Sequence, residues 1–257
     1  SLAVAVTVAV ADLGTGNALS GTDYTAFPGV ILTFPVGAGP GSTEAASLGI
    51  RDDNLIEGDE AIDLQISGLT GPATLANPTN HTVTITDEDD DNVTVTFQLA
   101  NSAVFEANTT HLVNVILNAP AGVSLASAVS VNVSDLQNGT ATPNGTDYAA
   151  ATPQTLVFPA GAGGGTTRQA TLNIFEDVLS EGNEVVNLQL DTLTGPVALA
   201  NPTNHPVTIL DDDAPLVLFQ LAGSSVNETA GNQTVNVLLQ TPAGVTLGVP
   251  VTVEVSD

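Results

Sequence analysis

Cysteine, methionine, tryptophan and lysine are absent from the 257 residues, and the only basic side chains of fixed charge are Arg51 and Arg168. Without cysteine there is no disulfide, no thiolate metal site and no thiol nucleophile, and the redox compartment is left open. Two cations against 28 Asp and Glu give a formal net charge of −26. That balance excludes nucleic acid as a partner, because phosphates need basic side chains, and it repels an anionic membrane surface. Long hydrophobic runs are missing too. The most apolar stretch, Leu2 to Ala11, is far shorter than the ~20 residues a membrane helix needs, so no membrane insertion is expected. No basic segment precedes it as in a signal peptide. Aromatics make up 4% and charged residues 12%, yet hydrophobic residues reach 42% and are mainly Val, Leu, Ile and Ala. This is enough apolar material for a core, which rules out a disordered acidic tail, and its β-branched content leans toward strands.

Internal repetition organises the chain. LTGPATLANPTNHTVTI, Leu69 to Ile85, returns as LTGPVALANPTNHPVTI, Leu193 to Ile209, an offset of 124 residues. GTDY at Gly21 returns at Gly145 with the same offset, and FQLANSAVFE from Phe97 returns as FQLAGSSVNE from Phe219. The natural start of each unit lies just after an acidic cluster. Residues 1–91 then read as a partial unit lacking its first strands, 92–213 as a complete unit, and 214–257 as the first strands of another. The chain reads as a window on a longer array whose partners are neighbouring repeats of the same chain or filament. Strand donation between copies is the alternative, although residues 246–257 would then duplicate residues 1–12.

Period-two alternation, as in Val129-Ser-Val-Asn-Val133 and Val186-Asn-Leu-Gln-Leu190, marks strands with one buried face. Gly, Pro, Asn and Asp clusters such as Ala160 to Gly165 punctuate them. About seven short strands per ~120 residues predict an all-β fold of tandem β-sandwiches, joined by linkers short enough for an elongated array.

Charge is scarce, so its placement is informative. In the complete unit the acids are Glu106 on the first strand, Asp147 in GTDY, the run Glu176, Asp177, Glu181 and Glu184, and the triplet Asp211, Asp212 and Asp213. The first unit repeats this with Asp23, then Asp52, Asp53, Glu57 and Glu60, then Asp87 to Asp91. Strand ends and turns of a sandwich meet at one pole, so folding brings these carboxylates together. Their repulsion calls for a cation. Oxygen-only donors with loose spacing suit Ca2+, which takes about six to eight such ligands. Asp87-Glu-Asp89-Asp-Asp91 imitates an EF-hand start, but Asn92 replaces the turn glycine and Gln98 stands where the bidentate Glu belongs.

The order Glu in the first strand, GTDY, DDxxxExxE, then TVTI and an acidic triplet resembles the Calx-β domain, a family that includes the calcium-binding regulatory domains of sodium/calcium exchangers and many tandem surface-protein repeats. The resemblance implies immunoglobulin-like sandwiches with calcium at the pole where domains meet. Carried over by position, it implies ligands at Glu106, Asp147, Glu176, Asp177, the Leu179 carbonyl, Glu181, Glu184 and Asp211 to Asp213. In the first unit it implies Asp23, Asp52, Asp53, the Leu55 carbonyl, Glu57, Glu60 and the cluster containing Asp87 and Asp89. This sequence departs in beginning its second run with Glu176 instead of Asp, and in lacking a first-strand acid for the first unit. Glu228 holds that position in the last one.

Weaker signals complete the reading. Asn-x-Ser/Thr triplets begin at Asn80, Asn92, Asn108, Asn132, Asn138, Asn144, Asn227 and Asn232, about twice what composition alone gives, and mark candidate glycan sites. His81 and His205 share a repeat position and are expected in turns, with no transition-metal site. Paired carboxylates raise the question of glycoside cleavage, but the acids recur in every unit without aromatic platforms, and no nucleophile elbow or phosphate loop occurs, so no enzyme is expected. The expectation is a calcium-stabilised stalk of an extracellular or cell-surface adhesin or fibre, with a calcium-sensing regulatory module as the alternative.

Overall fold

A computed structural model describes residues 1–89, 92–150 and 152–257; Asp90 and Asp91 of the first acidic cluster lie outside the described residues. The first unit contributes β1 (Val6–Asp12), β2 (Val30–Phe34), β3 (Leu55–Ile56), β4 (Glu60–Thr70) and β5 (Asn80–Ile85). The second contributes β6 (Thr94–Phe97), β7 (Ser102–Phe105), β8 (Thr110–Asn118), β9 (Ser124–Leu125), β10 (Val129–Asp135), β11 (Gln154–Phe158), β12 (Thr167–Asn173), β13 (Leu179–Ser180), β14 (Glu184–Asp191), β15 (Ala198–Leu199) and β16 (Asn204–Leu210). The last part holds β17 (Leu216–Phe219), β18 (Val237–Gln240), β19 (Thr246–Leu247) and a single 3-10 turn, Glu228–Ala230. No described helix is long and apolar enough to cross a membrane.

The second unit is a two-sheet sandwich. One sheet has the order β11-β10-β14-β16-β7 and the other β12-β8-β6-β15. The alternation in the sequence becomes alternation in burial: Val129, Val131 and Val133 of β10 and Val186, Leu188 and Leu190 of β14 face Val113, Val115 and Leu117 of β8 in one aliphatic core. Each such side chain contributes about 1.5–3 kcal/mol by leaving water. The first strand is split, with β6 joining one sheet and β7 crossing to pair in parallel with β16 in the other. The crossing delivers Glu106 to the pole, where its amide donates to the Leu210 carbonyl at 3.1 Å.

The first unit has one four-stranded sheet, β2-β1-β4-β5, and among the described residues no strands equivalent to β6 and β8. The consequence is visible in a pair of matched segments. Residues 167–173 form β12 by pairing with β8. Their counterparts, residues 43–49, form no strand because no such partner stands beside them. Ala46 and Leu48 still pack on the sheet, around a small core of Val10, Tyr24, Ile62 and Leu64.

The histidines depart from expectation. His81 lies in β5 and His205 in β16, both strands, and His205 is 2% exposed. The structure brings His205 and His111 together on one hydroxyl: Ser102 Oγ lies 2.7 Å from His205 Nε2 and 2.8 Å from His111 Nε2. His205 Nδ1 lies 2.9 Å from the Leu99 carbonyl, which can only accept. Nδ1 therefore carries the proton, Ser102 donates to His205 Nε2, and His111 Nε2 donates to Ser102. The relay ties β7 and β16 to β8 of the opposite sheet, and the His205 ring packs against Phe97 at 5.1 Å. Its neutral form is stabilised because burial pushes both imidazoles below their ordinary pKa. Strand periodicity did not place the His205 ring inward, because the Asn-Pro-Thr-Asn sequence before it reads as a loop.

Candidate metal centre

The GTDY turn anchors the site. Tyr148 is buried and its hydroxyl donates to Asp135 Oδ2 at 2.7 Å; Tyr24 repeats the bond to Asp12. With the ring fixed, Asp147 and Asp23 sit inward, 6% and 5% exposed. The acidic run is laid against this turn by the Phe175 amide donating to the Asp147 carbonyl at 2.9 Å, and by the Arg51 amide donating to that of Asp23 at 2.8 Å.

Within each run the carboxylates divide between two tasks. Asp211 Oδ2 accepts from the Glu181 and Gly182 amides at 3.1 and 3.0 Å, and Asp87 Oδ2 accepts from those of Glu57 and Gly58 at 2.7 and 2.8 Å. Asp177 Oδ1 takes the Leu179 amide at 2.7 Å and Asp53 Oδ1 that of Leu55 at 2.9 Å. These bonds hold the loops in shape and leave other oxygens to face inward. The inward-facing groups form clusters whose oxygens lie within 4.8 Å of one another. In the second unit these are Asp147 with Glu181 and Glu184, Glu106 with Asp177 and Asp213, and Glu106 with Glu176 and Asp212. In the first unit Asp23, Glu57 and Glu60 converge in the same way. Asp52, Asp53, Leu55, Asp87 and Asp89 line the same cleft of about 310 Å³. Among the described residues the first unit has no second cluster, because Glu106 has no counterpart there. The pairing of each run with the following unit uses the carbonyls of residues 54 and 56, and of 178 and 180, and leaves those of Leu55 and Leu179 out.

The electrostatics are those of anions held together without a counter-charge. Burial, reinforced by Asp211 and Asp177, pushes Glu106 up to about 7. Burial and the adjoining Asp147 push Glu184 up to about 8, and burial with Asp23 raises Glu60 to about 7. Three buried oxygens, Asp23 Oδ1, Glu106 Oε1 and Asp213 Oδ2, have no hydrogen-bond donor. A carboxylate oxygen deprived of water and of a donor is costly unless a cation faces it, so the residues fit an oxygen-coordinated divalent ion. The one cation nearby is Arg51, whose Nη1 donates to the Gly21 carbonyl at 2.8 Å beside the first cleft; Phe175 holds the matching place in the second unit. Sequence reasoning passed over Arg51, Asp12 and Asp135, although Asp12 and Asp135 stand at matching points of the repeat and so carried a signal.

The profile of the Calx-beta domain matches residues 2–89 and again 88–213. The chain belongs to the Calx-beta family. Among solved structures it is similar to the apo-form Calx CBD1 domain, at 26% identity over 47% of this chain and 98% of that one, TM-score 0.41. It is also similar to CBD12 from CALX1.2, at 20% identity over 80% and 88% of the two chains, TM-score 0.39, and to the calcium binding domain CBD12 of CALX1.1, at 18% over 80% and 87%, TM-score 0.35. No curated protein matches it. In this Calx-beta chain the two matched copies meet through β3 and β9, which pair in parallel with Leu55 opposite Ser124 and Ile56 opposite Leu125.

Proposed function

We propose that this Calx-beta chain is a calcium-stabilised repeat segment that holds successive domains in a fixed relation, as the stalk of an extracellular adhesin or fibre. The observation that carries it is the set of buried, donorless carboxylate oxygens of Asp23, Glu106 and Asp213, which cluster with Glu57 and Asp177 of the loops that pair with the next unit. Asp147, Glu181, Glu184, Glu106, Glu176, Asp177, Asp212 and Asp213 would hold calcium in the unit spanning residues 92–213, and Asp23, Glu57 and Glu60, with Asp52, Asp53 and Asp89, in the unit ending near residue 91. The ion supplies positive charge that neutralises the cluster. Asp211 and Asp87 shape the loops through their backbone bonds. Because residues 52–60 both line the cleft and carry β3, ordering the carboxylates orders the joint. A structural role is supported by near-identical repeats, by a sequence with two trypsin-type sites, and by the lack of easily oxidised Cys and Met.

Calcium titration tests this. A stalk saturates at roughly millimolar calcium and melts higher with the ion, with its scattering profile more extended than in chelator. Melting and scattering unchanged by chelation would end the reading. The second reading, a regulatory calcium sensor, is favoured by the similarity to the calcium binding domain CBD12 of CALX1.1. Saturation near micromolar calcium would select it.

A further inference from the structure

One side chain of the first unit is packed in the core of the second. Ile56, on β3, is 0% exposed and belongs to the same cluster as Val123, Leu125 and Phe158. The backbone around it is paired, with the Ser124 amide on the Asn54 carbonyl and the Ala126 amide on that of Ile56, both at 3.1 Å. Gly58, at φ +83, lies so close to Pro196 of the second unit that a Cβ there would sit 3.1 Å from the proline Cβ. The next junction repeats the backbone device: β13 pairs in parallel with β19, and the Thr246 and Gly248 amides donate to the Val178 and Ser180 carbonyls at 2.9 and 3.0 Å. The residue at the plug position there is Ser180. Opposite Ile56, Leu125 is 1% exposed.

We propose that the residue at this position is an apolar plug by which one unit completes the core of the next, and that its identity sets how strongly neighbouring units are coupled. The partner surface is the β9 end of a following copy, whose Val123 and Leu125 receive the plug. Ile56 makes the first and second units melt as a coupled pair, since part of the second unit's buried surface is supplied by the first. Ser180 keeps the backbone pairing without the apolar side chain, so the following joint lacks that contribution and opens more readily. The array thus carries tight and loose joints written by one residue, in the way nearest-neighbour interfaces govern repeat proteins.

The coupling needs no ion, so it is tested on the 257-residue chain in chelator, apart from the calcium reading. Ile56→Ser is expected to lower the transition of the second unit by roughly 5–10 °C in calorimetry, and to speed exchange of the Ser124 and Ala126 amides. Ile56→Val retains most of the wild-type behaviour. Ser180→Ile slows exchange of the Thr246 and Gly248 amides. A second-unit transition and β9 amide exchange unaltered in Ile56→Ser would overturn the proposal, as would amides of β19 no better protected in Ser180→Ile. Should Ile56→Ser fail to fold, the Ser180→Ile exchange result decides alone. Calcium affinity measured on the same variants bears only on the calcium reading.

Discussion

Calcium binding to this chain is expected to expel protons, and the number is set by the clustered carboxylates. Glu184 is raised to about 8 and Glu106 to about 7, so at pH 7 about nine-tenths of the first and half of the second are protonated. Coordination requires both ionised, so saturating the second unit releases between about one and one and a half protons. Both side chains keep access to water, which screens the cluster and moves the count toward the lower figure. Glu60, raised to about 7, adds up to about half a proton from the first unit. The sign for stability follows. These folded pKa values lie above the ordinary carboxylate value, so between about pH 4.5 and 8 the folded chain holds protons that the unfolded chain does not. These glutamates therefore favour the ion-free fold most at the acid end of that window, and their contribution is lost as pH rises through 7 to 8. Titration calorimetry at pH 7 in buffers of different ionisation heat gives the proton count directly. At pH 9 the count falls close to zero, and Glu184→Gln removes about half of it at pH 7. No buffer dependence at pH 7, or a count equally large at pH 9, would refute the clustering argument.

Glu106 is shared by two carboxylate clusters, so Glu106→Gln is expected to weaken calcium binding by about tenfold or more while stabilising the ion-free protein at pH 8, where the buried charge is removed; calorimetric titration and melting in chelator read the two effects. His205 and His111 titrate in the opposite sense to the glutamates. Their folded pKa values are lowered, so the unfolded chain takes up protons first as pH falls below about 6.5, and stability drops. His205→Asn, which cannot be protonated, should lose less stability than wild type between pH 7 and 5; equal losses would show that the relay does not titrate. Tyr148→Phe removes the bond to Asp135 and is expected to cost about 0.5–1.5 kcal/mol in urea unfolding at unchanged m-value.

The repeat offset, the period-two strands and the recurring acids made the sandwich and the polar cluster legible, because each is a local pattern that folding preserves. What was not legible depended on which partner strands stand nearby. Residues 43–49 and 167–173 match in sequence position, yet only the latter form a strand, since β8 exists beside them alone. His81 and His205 differ for the same reason. Both are strand residues, but β7 and the crossover at Leu99 are present to bury and hydrogen-bond only His205. The division of the acids was hidden as well. A DDxxxExxE pattern does not reveal that Asp211 and Asp87 spend an oxygen on backbone amides 29 and 30 residues earlier, because that depends on β16 and β5 returning the chain to the same pole.

The placement of the acids follows from economy of charge on the loop between the GTDY-anchored turn and β4. That loop is pinned at its start by the amide of Arg51 on the Asp23 carbonyl and in its middle by β3 on β9. Three of its side chains, Asp52, Asp53 and Glu57, line the cleft, and Glu60 closes it at the start of β4. Repulsion among them acts directly on β3, a two-residue strand with few bonds to resist it. A cation in the cleft removes that force, whereas a uniformly solvated acidic surface would exert none on the joint. The −26 net charge therefore has two parts with different consequences: exposed acids that keep chains apart, and polar clusters whose neutralisation, on the calcium reading proposed above, would add to the hold that Ile56 gives the joint.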